Sequence, residues 1–284
     1  MADFTAAQNL LSMDEVLGAY RTMGQCYPHH PSVALWRAWE YAAYRHHALN
    51  EPALDLGCGD GQFFRLVWPH VEDVVGLDVN PAVAEAARKS GVYREVHVIP
   101  AYELPFESDR FASIFANCSL EHMDQLPAVL RHVVRCLRPG GKFLFSVVTD
   151  KFLEWTTLPL LLRITGVPER GRLLQSEYIQ YHHLLCPFSP EAWANQLTQV
   201  GFIIEDYIPI VPELTARFFL FLDHVWHIPF QGSEVGESLL PLFGAWPGFS
   251  SGIEDILRGF LRMESNWATC AGAVFYAQKP PRRG

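Results

Sequence analysis

Residues 52–61 read P-A-L-D-L-G-C-G-D-G, and the stretch changes character midway. Ala53, Leu54 and Leu56 form an apolar run around one acid, Asp55, which suits a strand buried on both faces. Gly57, Gly59 and Gly61 suit a tight turn into a helix starting near Gln62, where missing side chains let the backbone come close to a ligand. Strand, turn and helix together mark a ligand site.

Outward from this turn, strands and helices alternate. Strands are predicted over 71–79, 95–101, 110–118 and 142–148, with helices over 62–68, 81–91 and 126–137. Pro81 takes the first-turn place that proline favours. Such alternation implies right-handed crossovers and an α/β fold: a Rossmann-like, doubly wound, mostly parallel seven-stranded sheet with helices on both faces. Ligands of such sheets sit at the carboxyl ends of the strands, and Asp55, Asp78, Asn117 and Glu121 all fall at or just past predicted strand ends.

Ahead of the turn, residues 9–49 read as helical. Ser12-Met13-Asp14-Glu15 resembles a capping signal, and a second helix over 32–48 carries Leu35, Trp36, Trp39 and Tyr41 to Tyr44, an aromatic face that reads as core by default and, in a sharper reading, as a flap closing over the bound ligand. Residues 150–190 break the alternation. A helix over 190–200 and a strand over 202–211 resume it, and a tail strand over 270–278 is expected to pair beside that strand. Between them lies an apolar insert with helices expected over 213–227 and 252–263.

Composition narrows the partners. The 284-residue chain carries a net charge of −9, which argues against nucleic acid, whose phosphates need a basic face. Its six cysteines are scattered without paired spacing, the usage of a reduced cytoplasmic chain. Residues 1–8 lack the basic start and apolar core of a signal peptide. No run of about 18 apolar residues offers a transmembrane segment.

The glycines also select the ligand. A dinucleotide turn reads G-x-G-x-x-G, whereas here the third glycine comes one residue early and Gln62 takes its place. Asp60 sets a like charge beside any diphosphate. Asp55 and Asp60 suit a ligand with a cationic centre and an amino-acid tail. Asp78, at the end of the next strand, is placed to accept from two ribose hydroxyls.

With those residues in view, the chain resembles the class I S-adenosylmethionine-dependent methyltransferases, within the group holding ubiquinone/menaquinone and many natural-product methyltransferases. The motifs are L-D-L-G-C-G-D-G (54–61), G-L-D-V-N (76–80), L-P-F (104–106), S-L-E-H-M (119–123) and L-R-P-G-G (137–141). The resemblance implies S-adenosyl-L-methionine as donor and S-adenosyl-L-homocysteine as product. It implies that Asp55, Gly57, Cys58 and Gly59 line the methionine end, that Asp78 holds the ribose, and that Val79, Ala101 and Tyr102 lie by the adenine. Asn117 meets the cofactor through its backbone. Where the family commonly carries an acid as D-A, Pro100-Ala101 stand here, and Tyr102 or Glu103 is expected to substitute. The implied domains are a helical cap over 1–50, a cofactor-binding catalytic domain over 51–211 and 268–280, and a helical insert or lid over 212–267.

In-line methyl transfer depends chiefly on aligning nucleophile and methyl group, with a base where the nucleophile carries a proton. His122 is the first candidate base, and His182 and His183 the second set. Against this stands a plain reading in which Glu121 and His122 only orient a loop. Asp223, His224 and His227 could suggest a metal, but three ligands on one helix with no partner cluster elsewhere make a poor site, so none is expected. The aromatic insert points to an apolar small-molecule acceptor, with docking on a membrane surface as its other use. Two other functions share the fold: a hydride-transfer enzyme, disfavoured by the early Gly61, and a non-catalytic S-adenosylmethionine-binding sensor or partner subunit.

Overall fold

The computed structural model describes residues 7–282; the leader reading of residues 1–6 lies outside them. A two-residue strand β1 (Ala7–Gln8) precedes helices α1 (Met13–Cys26) and α2 (Pro31–Tyr44). Helix α1 starts on the expected capping box: the Glu15 N–H donates to Ser12 Oγ at 3.3 Å, and Glu15 Oε2 accepts from the Ser12 N–H at 2.7 Å. Then come β2 (Ala53–Leu56), α3 (Gln62–Val67), β3 (Val74–Asp78), α4 (Pro81–Ser90), β4 (Glu95–Val98), β5 (Phe111–Asn117), α5 (Leu126–Cys136) and β6 (Leu137–Val148).

Helices α6 (Asp150–Glu154), α7 (Thr157–Ile164) and α8 (Pro168–Tyr181) fill the region where alternation fails. Helix α9 (Pro190–Gln199) leads to β7 (Ile203–Pro212). The insert then runs as α10 (Glu213–Trp226), a hairpin β8 (Pro229–Phe230) and β9 (Ser233–Glu234), α11 (Val235–Ala245) and α12 (Phe249–Met263). Strand β10 (Cys270–Gln278) closes the chain's order. Pro241 and three glycines between 236 and 248 disguise α11 in the sequence, yet the helix carries Pro241 internally.

The sheet has the order β1-β7-β10-β6-β5-β2-β3-β4. Strands β4, β3, β2, β5 and β6 are parallel, while β10 lies antiparallel between β6 and β7. This is the expected doubly wound sheet of seven strands, with β1 added parallel to β7 through Ala7↔Asp206 and Gln8↔Tyr207. Strand β6 begins at Leu137 rather than Lys142, because Leu137 pairs with Phe111 before the register shifts.

Two hydrophobic clusters flank the sheet. One gathers Phe143, Phe145, Trp193, Leu197 and Phe275 beneath α5 and α9. The other joins Tyr20, Trp36, Trp39 and Tyr44 of the N-terminal helices to Phe219, Leu220, Ile253 and Leu257 of the insert. The aromatic face of α2 is therefore core, each fully buried side chain contributing on the order of 2 kcal/mol. The N-terminal helices and the insert share one core. Among the described residues no helix is long and apolar enough to cross a membrane.

Candidate active site

The chain turns back between β2 and β5, with β3 and β4 laid to one side and β5 and β6 to the other. The 57–61 turn sits at that switch point, where α/β sheets bind ligands. The turn is pinned to the neighbouring strand: the Gly57 and Cys58 N–H groups donate to the Leu77 carbonyl at 2.8 and 2.9 Å. The Gly59 N–H donates to Asp78 Oδ2 at 3.1 Å, and Asp78 Oδ1 accepts from Asn80 N–H at 2.9 Å.

Gly57 has φ of 79°, and a Cβ there would stand 2.6 Å from Ser119 Cβ. Gly61, at φ 82°, faces the Tyr93 ring, 2.7 Å from where a Cβ would stand. Both positions exclude a side chain by backbone conformation and by contact.

Two cavities share Gly57. The larger, about 390 Å³, is walled by Leu77, Asp78, Val79, Ile99 to Tyr102, Cys118, Ser119, His122 to Asp124 and His183. The smaller, about 120 Å³, is walled by Tyr27, Arg37, Asp55, Cys58 to Asp60, Phe63, Phe64, Phe115 and Asn117, besides Gly57. The expected residues thus divide: Asp55, Gly57, Cys58, Gly59 and Asn117 surround the small lobe, and Gly57, Asp78, Val79, Ala101 and Tyr102 the large one. Asp60, expected to face a cation, also accepts the Gln62 N–H at the start of α3, at 2.9 Å.

His122 and His183 meet in the larger cavity, His122 Nδ1 lying 3.2 Å from the His183 carbonyl. That carbonyl can only accept, so Nδ1 carries the proton and Nε2 keeps its lone pair. Burial pushes the His122 pKa below its ordinary value, which keeps the ring neutral near pH 7. His182 departs from expectation. The backbone turns through a left-handed His183, φ 49°, so His182 faces Asp223 of α10 at 3.1 Å instead of the cavity.

Glu121 is fully buried; its Oε1 accepts from the Val148 N–H at 3.2 Å, and its carbonyl accepts from Leu185 and Cys186 N–H. It ties the loop after β5 to the segment above the cavity, as the plain reading had it. The insert lines neither cavity; its Phe219, Leu220, Ile253 and Leu257 enter the shared core, while Phe221, Leu240, Leu242 and Trp246 stay exposed.

Sequence reading missed Arg37, Tyr27 and Tyr93. Tyr93 donates to Asp55 Oδ2 at 2.6 Å, a contact across 38 positions that no local pattern announces. Arg37 lies on the inward side of α2, 2.6 Å from the buried Glu40. Glu40 in turn accepts from Ser146 Oγ at 2.7 Å and Cys118 Sγ at 2.9 Å. Tyr44 shares a 2.8 Å hydrogen bond with the Asn117 amide. The available signal was W-R-A-W-E (36–40), a charged pair three residues apart in an otherwise aromatic helix.

Burial raises the Asp55 pKa from 3.8 to about 7, and that of Glu121 from 4.5 to about 7. Each group holds its proton more tightly folded than unfolded, so this stability is full below roughly pH 4 and is lost as pH rises through about 7. The melting temperature of the ligand-free chain is expected to fall between about pH 5 and 7.5, with a shallower fall in Asp55→Asn. An unchanged slope in that variant would show that Asp55 is ionised throughout.

Residues 54–145 match the methyltransferase domain family. The demethylmenaquinone methyltransferase of Symbiobacterium thermophilum is 25% identical over 216 residues, covering 68% of this chain and 84% of that one. The ubiquinone biosynthesis O-methyltransferase of Xanthomonas axonopodis pv. citri is 27% identical over 172 residues, covering 59% and 69%. Among solved structures, phosphoethanolamine N-methyltransferase 2 of Haemonchus contortus with S-adenosyl-L-methionine superposes with TM-score 0.54 at 15% identity, over 94% of this chain and 57% of that one; it speaks for the fold. Residues 54–145 thus carry a methyltransferase domain, on the fold that S-adenosylmethionine-dependent methyltransferases share. Within that class the chain is similar to the group containing the ubiquinone and menaquinone methyltransferases.

Proposed function

We propose that the chain methylates a small, apolar acceptor bearing a weakly acidic hydroxyl, of phenol or quinol type. The observation that carries the reading is a neutral histidine, His122, its Nδ1 facing the His183 carbonyl, in a cavity that Cys118, Ser119 and Met123 line besides the residues assigned below to the cofactor. The similarity to quinone methyltransferases supports the acceptor class.

The cofactor fits the two lobes that meet at Gly57, a cradle that any Cβ there would fill. When bound, S-adenosylmethionine supplies an electrophilic methyl group. Asp78 is assigned to the ribose hydroxyls, Val79, Ala101 and Tyr102 to the adenine, and Asp55 with the Gly57–Gly59 backbone to the amino-acid end. Arg37 offers that end a guanidinium fork for its carboxylate. Asp55 is assigned to the ammonium, which returns its carboxyl toward the ionised form. His122 takes the acceptor's proton at Nε2, its ring held by the His183 carbonyl. Alignment of the acceptor falls to the residues of the larger cavity not assigned to the cofactor, Cys118, Ser119, Met123 and His183 among them.

Asp78→Ala is expected to weaken cofactor binding by about 1–3 kcal/mol, the cost of hydrogen-bonding groups left unpaired; calorimetry showing unchanged affinity would put the ribose elsewhere. The function itself is tested by turnover of labelled S-adenosylmethionine against a panel of phenols, quinols and amines. Methylated phenol or quinol is the expected product. Cofactor binding with no methylated product in any extract fraction would favour the sensor reading, and preferential binding of NAD would overturn the methyltransferase reading.

A further inference from the structure

We propose that His182, Asp223 and His227 form a binding site for a divalent transition-metal ion of the zinc type. The expectation of no metal rested on Asp223, His224 and His227 sharing one helix without outside help. The fold supplies the help. His182, at the end of α8, brings its Nε2 to 3.1 Å from Asp223 Oδ2, and His227 Nε2 lies 3.6 Å from Asp223 Oδ1. The three ligand atoms fall within 4.8 Å of one another.

These spacings fit ligands that share one ion. Ligands about 2.0 Å from a tetrahedral zinc ion stand roughly 3.3 Å apart, and the two measured contacts bracket that value. His182 Nε2 is buried and has Asp223 as its facing group, without the alignment of a hydrogen bond, and 3.6 Å is too long for one at His227. Asp223 and His227 are four residues apart on α10, one above the other on the same face. His224 leaves the set: its Nδ1 donates to the Leu220 carbonyl at 3.0 Å, and its ring stacks on Tyr178.

A second layer orients the first. Glu234, on β9, accepts from His227 Nδ1 at 3.0 Å, the carboxylate–histidine arrangement that fixes a metal-binding tautomer. Tyr181 donates to the other Glu234 oxygen at 2.7 Å and lies 2.8 Å from the same His227 nitrogen. Tyr178 donates to Asp223 Oδ2 at 2.7 Å. Two imidazoles and a carboxylate suit borderline ions such as Zn²⁺ and Co²⁺ over Mg²⁺ or Ca²⁺. The ion would fasten α8 to α10 and the hairpin, one residue from the His183 that walls the cavity.

The test is spectroscopic and separate from methyl transfer. Co²⁺ titrated into the chelator-stripped full chain should produce the visible absorption of a four-coordinate ion, saturate at an equimolar ratio and disappear on adding Zn²⁺. Zn²⁺ alone should raise the melting temperature. Asp223→Asn should abolish the absorption. Should that variant not fold, Glu234→Gln, which touches no ligand atom of the ion, should weaken Co²⁺ binding roughly 10- to 100-fold. Absence of the absorption in the wild-type chain, or its persistence at unchanged affinity in Glu234→Gln, would overturn the site. Cofactor affinity, measured alongside, reports on the methyltransferase reading independently.

Discussion

Turnover in His122→Ala is expected to fall by about 10²- to 10⁴-fold, the usual contribution of a positioned general base, with cofactor affinity almost unchanged. The separation follows from the geometry. His122 stands at the roof of the larger cavity, away from the small lobe assigned to the amino-acid end. Its Nδ1–H is committed to the His183 carbonyl, so Nε2 is the lone pair available to an acceptor. Stopped-assay turnover and calorimetry on the same preparation check both halves. A variant retaining full activity would assign catalysis to alignment alone.

Arg37→Met is expected to destabilise the chain by about 3–5 kcal/mol, because it strips a buried carboxylate of its cation. Glu40 is wholly buried and keeps only neutral partners, Ser146, Cys118 and the Asn117 amide, once the guanidinium is gone. Chemical denaturation measures the loss, and the double variant Arg37→Met/Glu40→Leu should recover most of it, since removing both charges leaves neither unpaired. A loss below about 1 kcal/mol in the single variant would mean that the neutral partners suffice to hold the charge. At a temperature where the single variant is folded, its cofactor affinity should also drop, through the smaller cavity that Arg37 walls.

The alternation of strands and helices from residue 53 onward was legible because parallel strands buried on both faces leave continuous apolar runs, and because glycine and proline punctuate them. The 57–61 turn was legible for a related reason: positive φ at Gly57 and Gly61 leaves little freedom of residue type. Local sequence was silent where function depends on distant partners. Tyr93 reaching Asp55 and Glu40 reaching Ser146 are products of topology. The same holds for His182 and Asp223, 41 positions apart by their numbering, which is why three residues on one helix looked insufficient. The apolar content of the insert was visible too, but not its division: Phe219, Leu220, Ile253 and Leu257 pack with the N-terminal helices, while Phe221, Leu242 and Trp246 stay exposed.

Strand β10 gives the chain an order of assembly. It lies between β6 and β7, so β7 has no bond to the rest of the sheet until residues 270–278 arrive, and β1 reaches the sheet only through β7. During synthesis the pairing of the five parallel strands needs nothing beyond β6, whereas β1 and β7 must wait for β10. Until then β6 presents an open apolar edge, the kind of surface on which chains pair wrongly. The motifs that define the ligand turn therefore lie in the part of the sheet whose pairing does not depend on β10, and β10 is what joins β7 and β1 to it.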